Sequence, residues 1–308
     1  MIPQKTLEVP CPSFAVKNPS VNEGRGRLSL PGKEVAGTSW KRMQGNGRKT
    51  VGWLEKGTRK MRTLFSLVHS GVLVVQDGID FRSMAHHERL HYIEFRPYLN
   101  FKKDVVVYDI GANVGEFARF FARFPWVSTI YCFEPVKSVF QDLVKRTEEI
   151  PGVRSFPIAL GDRNGLRQMN VNDFDPSSSL LPMDSIHVEE FPESGNMHEE
   201  EVQMMTLREA VNALGLAPPD FIKMDVQGFE DRVIRGGEEI VKQARYCMLE
   251  LSLVGLYKES MLITDMNSLM RGLGFRLVEL LGKVIGRSGE LLQVDGLYRN
   301  EDRGTGGR

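Results

Sequence analysis

From position 105 to 299, short runs rich in β-branched and aromatic residues alternate with stretches whose apolar positions recur at helical spacing. No other feature constrains the fold as strongly. VVVYDI (105–110) reads as a buried strand and GEFARFFARF (115–124) as a helix. STIYCFEP (128–135) is the next strand, VKSVFQDLVKRTEEI (136–150) the next helix and VRSFPIAL (153–160) a third strand. After an irregular middle, the alternation resumes with helix LREAVNALGL (207–216), strand DFIKMDV (220–226) and a broken helix, RVIRGGEEIVKQA (232–244). Strand RYCMLELS (245–252), helix MLITDMNSLMRGLG (261–274) and two closing strands, FRLVELL (275–281) and LLQVDGLYR (291–299), complete it. Strands that alternate with helices predict a mostly parallel sheet with helices on both faces. The stretch 172–200 interrupts this rhythm and is too long for an ordinary connection, so it is expected to be a lid or an excursion.

Upstream, residues 1–58 show no sustained periodicity and bury too little to offset their ordering entropy. They are expected to be a disordered, basic segment. Residues 1–60 hold twelve Lys and Arg against four Asp and Glu, so the remainder carries a net charge of −8 in a chain that sums to +0. Residues 59–100 are expected to form a helical extension, 101–300 the catalytic domain and 301–308 a frayed tail. The apolar helix expected at 61–75 suits either a cap over the site or a dimer face. At 41% hydrophobic and 26% charged residues, the chain has ample material for a core. Cys11, Cys132 and Cys247 form no CxxC pair, and the last two lie in apolar runs that make them core residues. No apolar stretch reaches the roughly 20 residues of a spanning helix. The start lacks a signal-peptide pattern. A cytoplasmic protein is expected.

The first strand ends in D-x-G-x-N-x-G: Asp109, Gly111, Asn113 and Gly115. A strand, a glycine turn and a helix start make the cofactor corner of an α/β fold, with bare backbone that a ligand can approach. The dinucleotide fingerprint needs G-x-G-x-x-G, which is missing, and an acid before the first glycine disfavours a pyrophosphate. An acid there suits an ammonium group. The next strand ends at Glu134, where a carboxylate can accept both hydroxyls of a ribose. An amino group at one end and a ribose at the other describe S-adenosylmethionine. Asp162, after the third strand, is placed to reach the adenine amino group.

VVYDIGANVGEF, IYCFEP, IALGD, FIKMDVQGFEDRVIRGG and MLELS occur in this order, and together they resemble the FkbM family of S-adenosylmethionine-dependent methyltransferases. The resemblance implies a class I methyltransferase (Rossmann-like) fold: a seven-stranded, mostly parallel sheet whose last strand is antiparallel. It also implies O-methylation of a hydroxyl on a sugar, a polyketide or another secondary metabolite. Cofactor binding then falls on Asp109, Gly111, Asn113, Gly115, Glu134 and Asp162. The D-V-E-G form common in the family stands here as Asp225, Val226, Gln227 and Gly228, so Gln227 takes no proton-transfer role.

Methyl transfer to an alcohol needs positioning of donor and acceptor, and a base helps because the hydroxyl proton must leave. Asp225, ending its strand at the edge where open α/β sheets bind ligands, is the first choice, and Glu230 the second. Glu250 ends the next strand at the same edge and is assigned, with Ser178 and Ser179, to the acceptor. Ser177 shares that loop. His187 and His198 fall in the interrupted stretch and are expected to be solvent-exposed, as is the EEE run at 199–201. His86, His87 and His91 look metal-like but lack matching carboxylates, so no metal is expected.

The function expected is O-methylation of a hydroxylated small molecule or glycan unit. A non-catalytic, cofactor-binding regulatory module is the alternative. A nicotinamide-dependent oxidoreductase is disfavoured by the missing fingerprint. A nucleic-acid partner is disfavoured by the −8 of the catalytic portion.

Overall fold

A computed structural model describes residues 98, 101, 103–172, 178–191 and 197–303. The expectations for residues 1–58 and for the helical extension, with His86, His87, His91 and Ser177, lie outside the described residues, as does most of the expected tail.

β1 (Val105–Ile110) is buried along its whole length. Alternation sends Val106, Tyr108 and Ile110 into one core and Val105 and Val107 into the other, and puts Asp109 on the second face. β2 (Val127–Phe133) and β3 (Val153–Phe156) extend the sheet in parallel on one side. β7 (Phe221–Met224) and β8 (Tyr246–Ser252) extend it in parallel on the other. β10 (Leu291–Asn300) runs antiparallel to both β8 and β9 (Phe275–Ile285) and closes the sheet as a hairpin. The order β3-β2-β1-β7-β8-β10-β9 is that of a class I methyltransferase sheet. It reverses direction between β1 and β7, which opens a crevice at the carboxyl ends of those strands.

The helices follow from local sequence. α1 (Glu116–Phe121) begins at Gly115, whose φ of 82° is left-handed, and buries Phe120 and Phe121. Phe121 packs against Phe117, Phe124, Trp126 and Phe221, an aromatic cluster that fills one face of the sheet. α2 (Lys137–Thr147) buries only Leu143 and Thr147, as a surface helix should. The helical reading of 232–244 also holds, because Gly236 and Gly237 divide α5 (Glu230–Arg235) from α6 (Glu238–Val241).

Two expectations need correction. Residues 153–160 are not one strand: β3 stops at Phe156, Pro157 donates nothing to the ladder, and Ile158 N donates to Phe156 O at 2.9 Å in a tight turn. Beyond the turn, β4 (Ala159–Gly161) leaves the main sheet. It joins β5 (Gly165–Asn172) and β6 (Met197–Thr206) in a second sheet of order β4-β6-β5. Most of the interrupted stretch is therefore the connection between β5 and β6, and it carries a short helix, α3 (Ser185–Glu190). Met169, Val171, Val202 and Met204 face a third core together with Leu181 and Tyr257. α4 (Leu207–Leu214) then returns to the main sheet, capped by Thr206, whose side chain accepts from Glu209 N, and stopped at left-handed Gly215.

Candidate active site

The carboxyl ends of β1, β2, β7 and β8 converge on a cavity of about 730 Å³. Of the residues singled out from the sequence, Gly111, Asn113, Glu134, Ser178, Asp225 and Glu250 line it. Asp109, Gly115, Asp162, Ser179 and Glu230 do not.

The glycine turn is tighter than a ligand cradle. Gly111 N and Ala112 N donate to Phe133 O at 3.0 Å each, Asn113 N donates to Glu134 Oε2 at 3.0 Å, and Gly115 N donates to Ala112 O at 2.9 Å. These N–H groups are engaged within the protein, which corrects the expectation of bare backbone held open for a ligand. The glycines serve packing as well. At Gly111 (φ +72°) a Cβ would lie 1.9 Å from the Asp225 carbonyl oxygen, and at Gly115 it would lie 2.7 Å from Leu143 Cδ1. With four of its donors spent within the protein, the turn offers little to a phosphate, in keeping with the missing dinucleotide fingerprint.

Glu134 follows β2 directly and is 6% exposed. Each carboxylate oxygen accepts one backbone N–H, Oε2 from Asn113 and Oε1 from Val136, both at 3.0 Å. A carboxylate oxygen has two acceptor positions, so one on each oxygen is left for a ligand. Burial pushes the group up to about 7, against the pull of those two N–H bonds. Phe133, Val136, Val139 and Ile158 give the adjoining wall an apolar surface.

Asp109 corrects a second expectation. It is fully buried, and the ammonium it meets belongs to Lys223 of β7, at 3.5 Å. Asp162 is held by Arg163 through contacts of 2.8 and 3.0 Å, which lower its pKa, and it does not line the cavity. Ser179 is 1% exposed: its hydroxyl donates to Gln227 O at 2.8 Å and accepts from Leu181 N at 3.0 Å. Ser178 Oγ accepts from Asn172 N at 3.1 Å at the cavity wall.

At the other end, Asp225 closes β7 with its side chain 39% exposed. Oδ1 accepts from Gln227 Nε2 at 2.8 Å, and Oδ2 lies 3.4 Å from Lys223 Nζ. Gln227 is left-handed (φ 56°), and its Oε1 accepts from Tyr257 OH at 2.6 Å. Glu230 is buried beneath this loop, and its Oε1 accepts from Val226 N at 2.9 Å. Burial raises it to about 7. It shapes the loop without facing the cavity, so the sequence-based choice of Glu230 as a catalytic group is revised.

Glu250 lines the cavity opposite Asp295, its register partner on β10. Burial, reinforced by Asp225, Glu230 and Asp295, holds its carboxyl well above the ordinary range. Its Oε2 is buried without a hydrogen-bond partner among the described residues. His187 is buried against Phe191 and Tyr257, contrary to the expectation of exposure, whereas His198 on β6 is exposed. Lys223, Tyr257 and Asp295 were missed. The available signal was a lysine or an acid inside an otherwise apolar strand.

Among the described residues, no helix is long and apolar enough to cross a membrane and no group of His, Cys, Asp and Glu is arranged to hold a metal.

Residues 109–277 match the family model described as the methyltransferase FkbM domain. The 2-O-methyltransferase NoeI of Sinorhizobium fredii is 29% identical over 163 residues, 51% of this chain and 67% of that protein. The hexuronic acid methyltransferase AglP of Haloferax volcanii is 22% identical over 177 residues, 55% of this chain and 68% of that one. The crystal structure of a methyltransferase FkbM from Methylobacillus flagellatus covers 75% of this chain at 15% identity, with a TM-score of 0.44. The chain spans about half, 49%, of that solved protein's length.

Proposed function

We propose that this chain, which belongs to the methyltransferase FkbM family, transfers a methyl group from S-adenosylmethionine to a hydroxyl of a sugar or glycan unit. One observation carries the reading: a single cavity runs from the two open acceptor positions of Glu134 to the Asp225 carboxylate at the end of β7. Glu134 is suited to a ribose diol. Phe133, Val136, Val139 and Ile158 give an apolar surface for a base, and Asn113 and Gly111 border the same space. Carboxyl groups at Asp225 and Asp295 suit a cationic ligand better than a phosphate. When bound, S-adenosylmethionine supplies the electrophilic methyl group.

The protein's own residues then have separable tasks. Asp225 accepts the hydrogen bond of the acceptor hydroxyl and takes its proton as the new C–O bond forms. The Gln227 amide fixes one of its oxygens and leaves the cavity side of the group available. Glu250, whose Oε2 is without a hydrogen-bond partner among the described residues, meets a hydroxyl of the acceptor. Ser178 borders the acceptor from the second sheet. A sugar hydroxyl as acceptor agrees with the names of the two relatives, one a 2-O-methyltransferase and the other a hexuronic acid methyltransferase.

The test begins with calorimetric titration of S-adenosylmethionine, with NADH as control, into the wild type. Labelled methyl transfer to a panel of glycosides follows. Binding of S-adenosylmethionine with transfer to at least one glycoside is expected. Binding without transfer to any hydroxylated acceptor points to a regulatory module, and binding of neither ligand removes the reading.

A further inference from the structure

We propose that Lys223 is a positioning residue that clasps the two halves of the cavity together, holding the Gly111 carbonyl of the glycine turn and the Asp225 carboxylate at one ammonium. The inference rests on the reading of the cavity as a methyl-transfer site.

Lys223 is the third residue of a four-residue strand whose other members, Phe221, Ile222 and Met224, are all buried. A lysine in such a strand is costly to bury unless its ammonium is fully engaged. Its register partner on β1 is Asp109, so the two side chains lie on one face of adjacent strands. Nζ makes three contacts: Gly111 O at 2.7 Å, Asp225 Oδ2 at 3.4 Å and Asp109 Oδ1 at 3.5 Å. Burial works against the charge, but the Asp225 and Asp109 carboxylates outweigh it and raise its pKa. Lys223 therefore stays an ammonium at any working pH.

The distances separate two roles. A lysine present only to neutralise Asp109 would close on that carboxylate to hydrogen-bond length, about 2.8 Å. Here the hydrogen bond goes to the backbone carbonyl of Gly111, and both carboxylates stand farther off. Gly111 and Asp225 already touch, since a Cβ on Gly111 would strike the Asp225 carbonyl oxygen. The ammonium is the polar fastening of that contact. Among the described residues, no other cation lies within ion-pair distance of Asp109 or Asp225. Asp109, buried below, anchors the ammonium from the side away from the ligand.

Thermal unfolding and calorimetric titration of S-adenosylmethionine on the wild type, Lys223→Met, the double variant Asp109→Asn/Lys223→Met and the double variant Asp109→Asn/Lys223→Gln test this. Lys223→Met alone leaves the Asp109 carboxyl, already raised by burial, without its cation and is expected to unfold at a lower temperature. The first double variant removes both charges and is expected to recover most of that loss while binding S-adenosylmethionine at least tenfold more weakly than the wild type. The second retains an N–H donor for the Gly111 carbonyl and is expected to bind more tightly than the first. A first double variant that binds within twofold of the wild type overturns the proposal and leaves Lys223 as a counter-ion for Asp109. Hydrogen exchange at 111–115 and 225–228 needs neither cofactor nor acceptor. Faster exchange at both turns in whichever double variant folds supports the clasp, and unchanged protection overturns it. A wild type that binds no S-adenosylmethionine removes the functional reading, while the exchange result still decides the role of Lys223.

Discussion

The two ends of the cavity are built by different means. The β1–α1 corner is local: Gly111, Asn113 and Glu134 come from two consecutive strands, and their mutual bonds are set by a turn of five residues. The β7–β8–β10 edge is assembled at long range. Asp225, Glu250 and Asp295 come from three strands, Gln227 is fixed by Tyr257, and Ser179 reaches the loop from the second sheet. The local end tolerates little change in itself or in the β7 residues packed on Gly111. The assembled end depends on register, so its chemistry can be altered one side chain at a time.

The largest effect should fall on the assembled end. Asp225→Asn is expected to lower the methyl-transfer rate by about 10²–10⁴-fold, the usual range for a general base, with a far smaller effect on S-adenosylmethionine affinity. Equal loss of both in paired rate and titration measurements would erase the distinction between the two ends. Next comes Gly111→Ala. The left-handed φ of +72° and a 1.9 Å approach to the Asp225 carbonyl make it costly in stability, about 3 kcal/mol or more. Urea denaturation with unchanged stability would show that the corner is looser than its geometry.

Glu230 offers a pH test that leaves the cavity walls in place. Its carboxyl is raised by burial to about 7, so the folded state holds the proton more tightly than the unfolded state. Stability from this group is therefore fully present below the unfolded value and declines as pH rises towards 7, by on the order of 2–3 kcal/mol. Glu230→Gln should flatten that slope in thermal melts between about pH 4.5 and 7, and an unchanged slope would assign it elsewhere. The smallest effect belongs to Glu134→Ala, expected to weaken S-adenosylmethionine about tenfold, or 1.4 kcal/mol. On the proposed contact of the ionised form with the ribose hydroxyls, wild-type affinity should also fall as pH drops below about 7. The variant should lose that dependence.

The same contrast explains what could be read from the sequence. The alternation of apolar runs and helical spacing carried the main sheet, and the D-x-G-x-N-x-G turn followed by Glu134 carried the local corner, because each is written in contiguous residues. Asp162 misled because its neighbour Arg163 takes the carboxylate, and a side chain's direction is not written in strand order. The second sheet was illegible because Met169 and Val171 on β5, and Val202 and Met204 on β6, alternate with polar residues in a stretch also rich in turn formers. Lys223 and Asp295 were hidden for the opposite reason: each sits in a run apolar enough to be read as core alone.

The second sheet shapes one side of the cavity and not the frame that carries it. β4, β5 and β6 occupy the connection between β3 and α4, yet the seven-stranded sheet takes none of its register from them. β4 and β5 line the cavity directly through Ala159, Leu160, Met169 and Asn172, and the connection after β5 adds Ser178 and the Ser179 hydroxyl on the Gln227 carbonyl. Substitutions at cavity-facing positions of this insert therefore alter one side of the cavity and leave the register of the seven strands as it is.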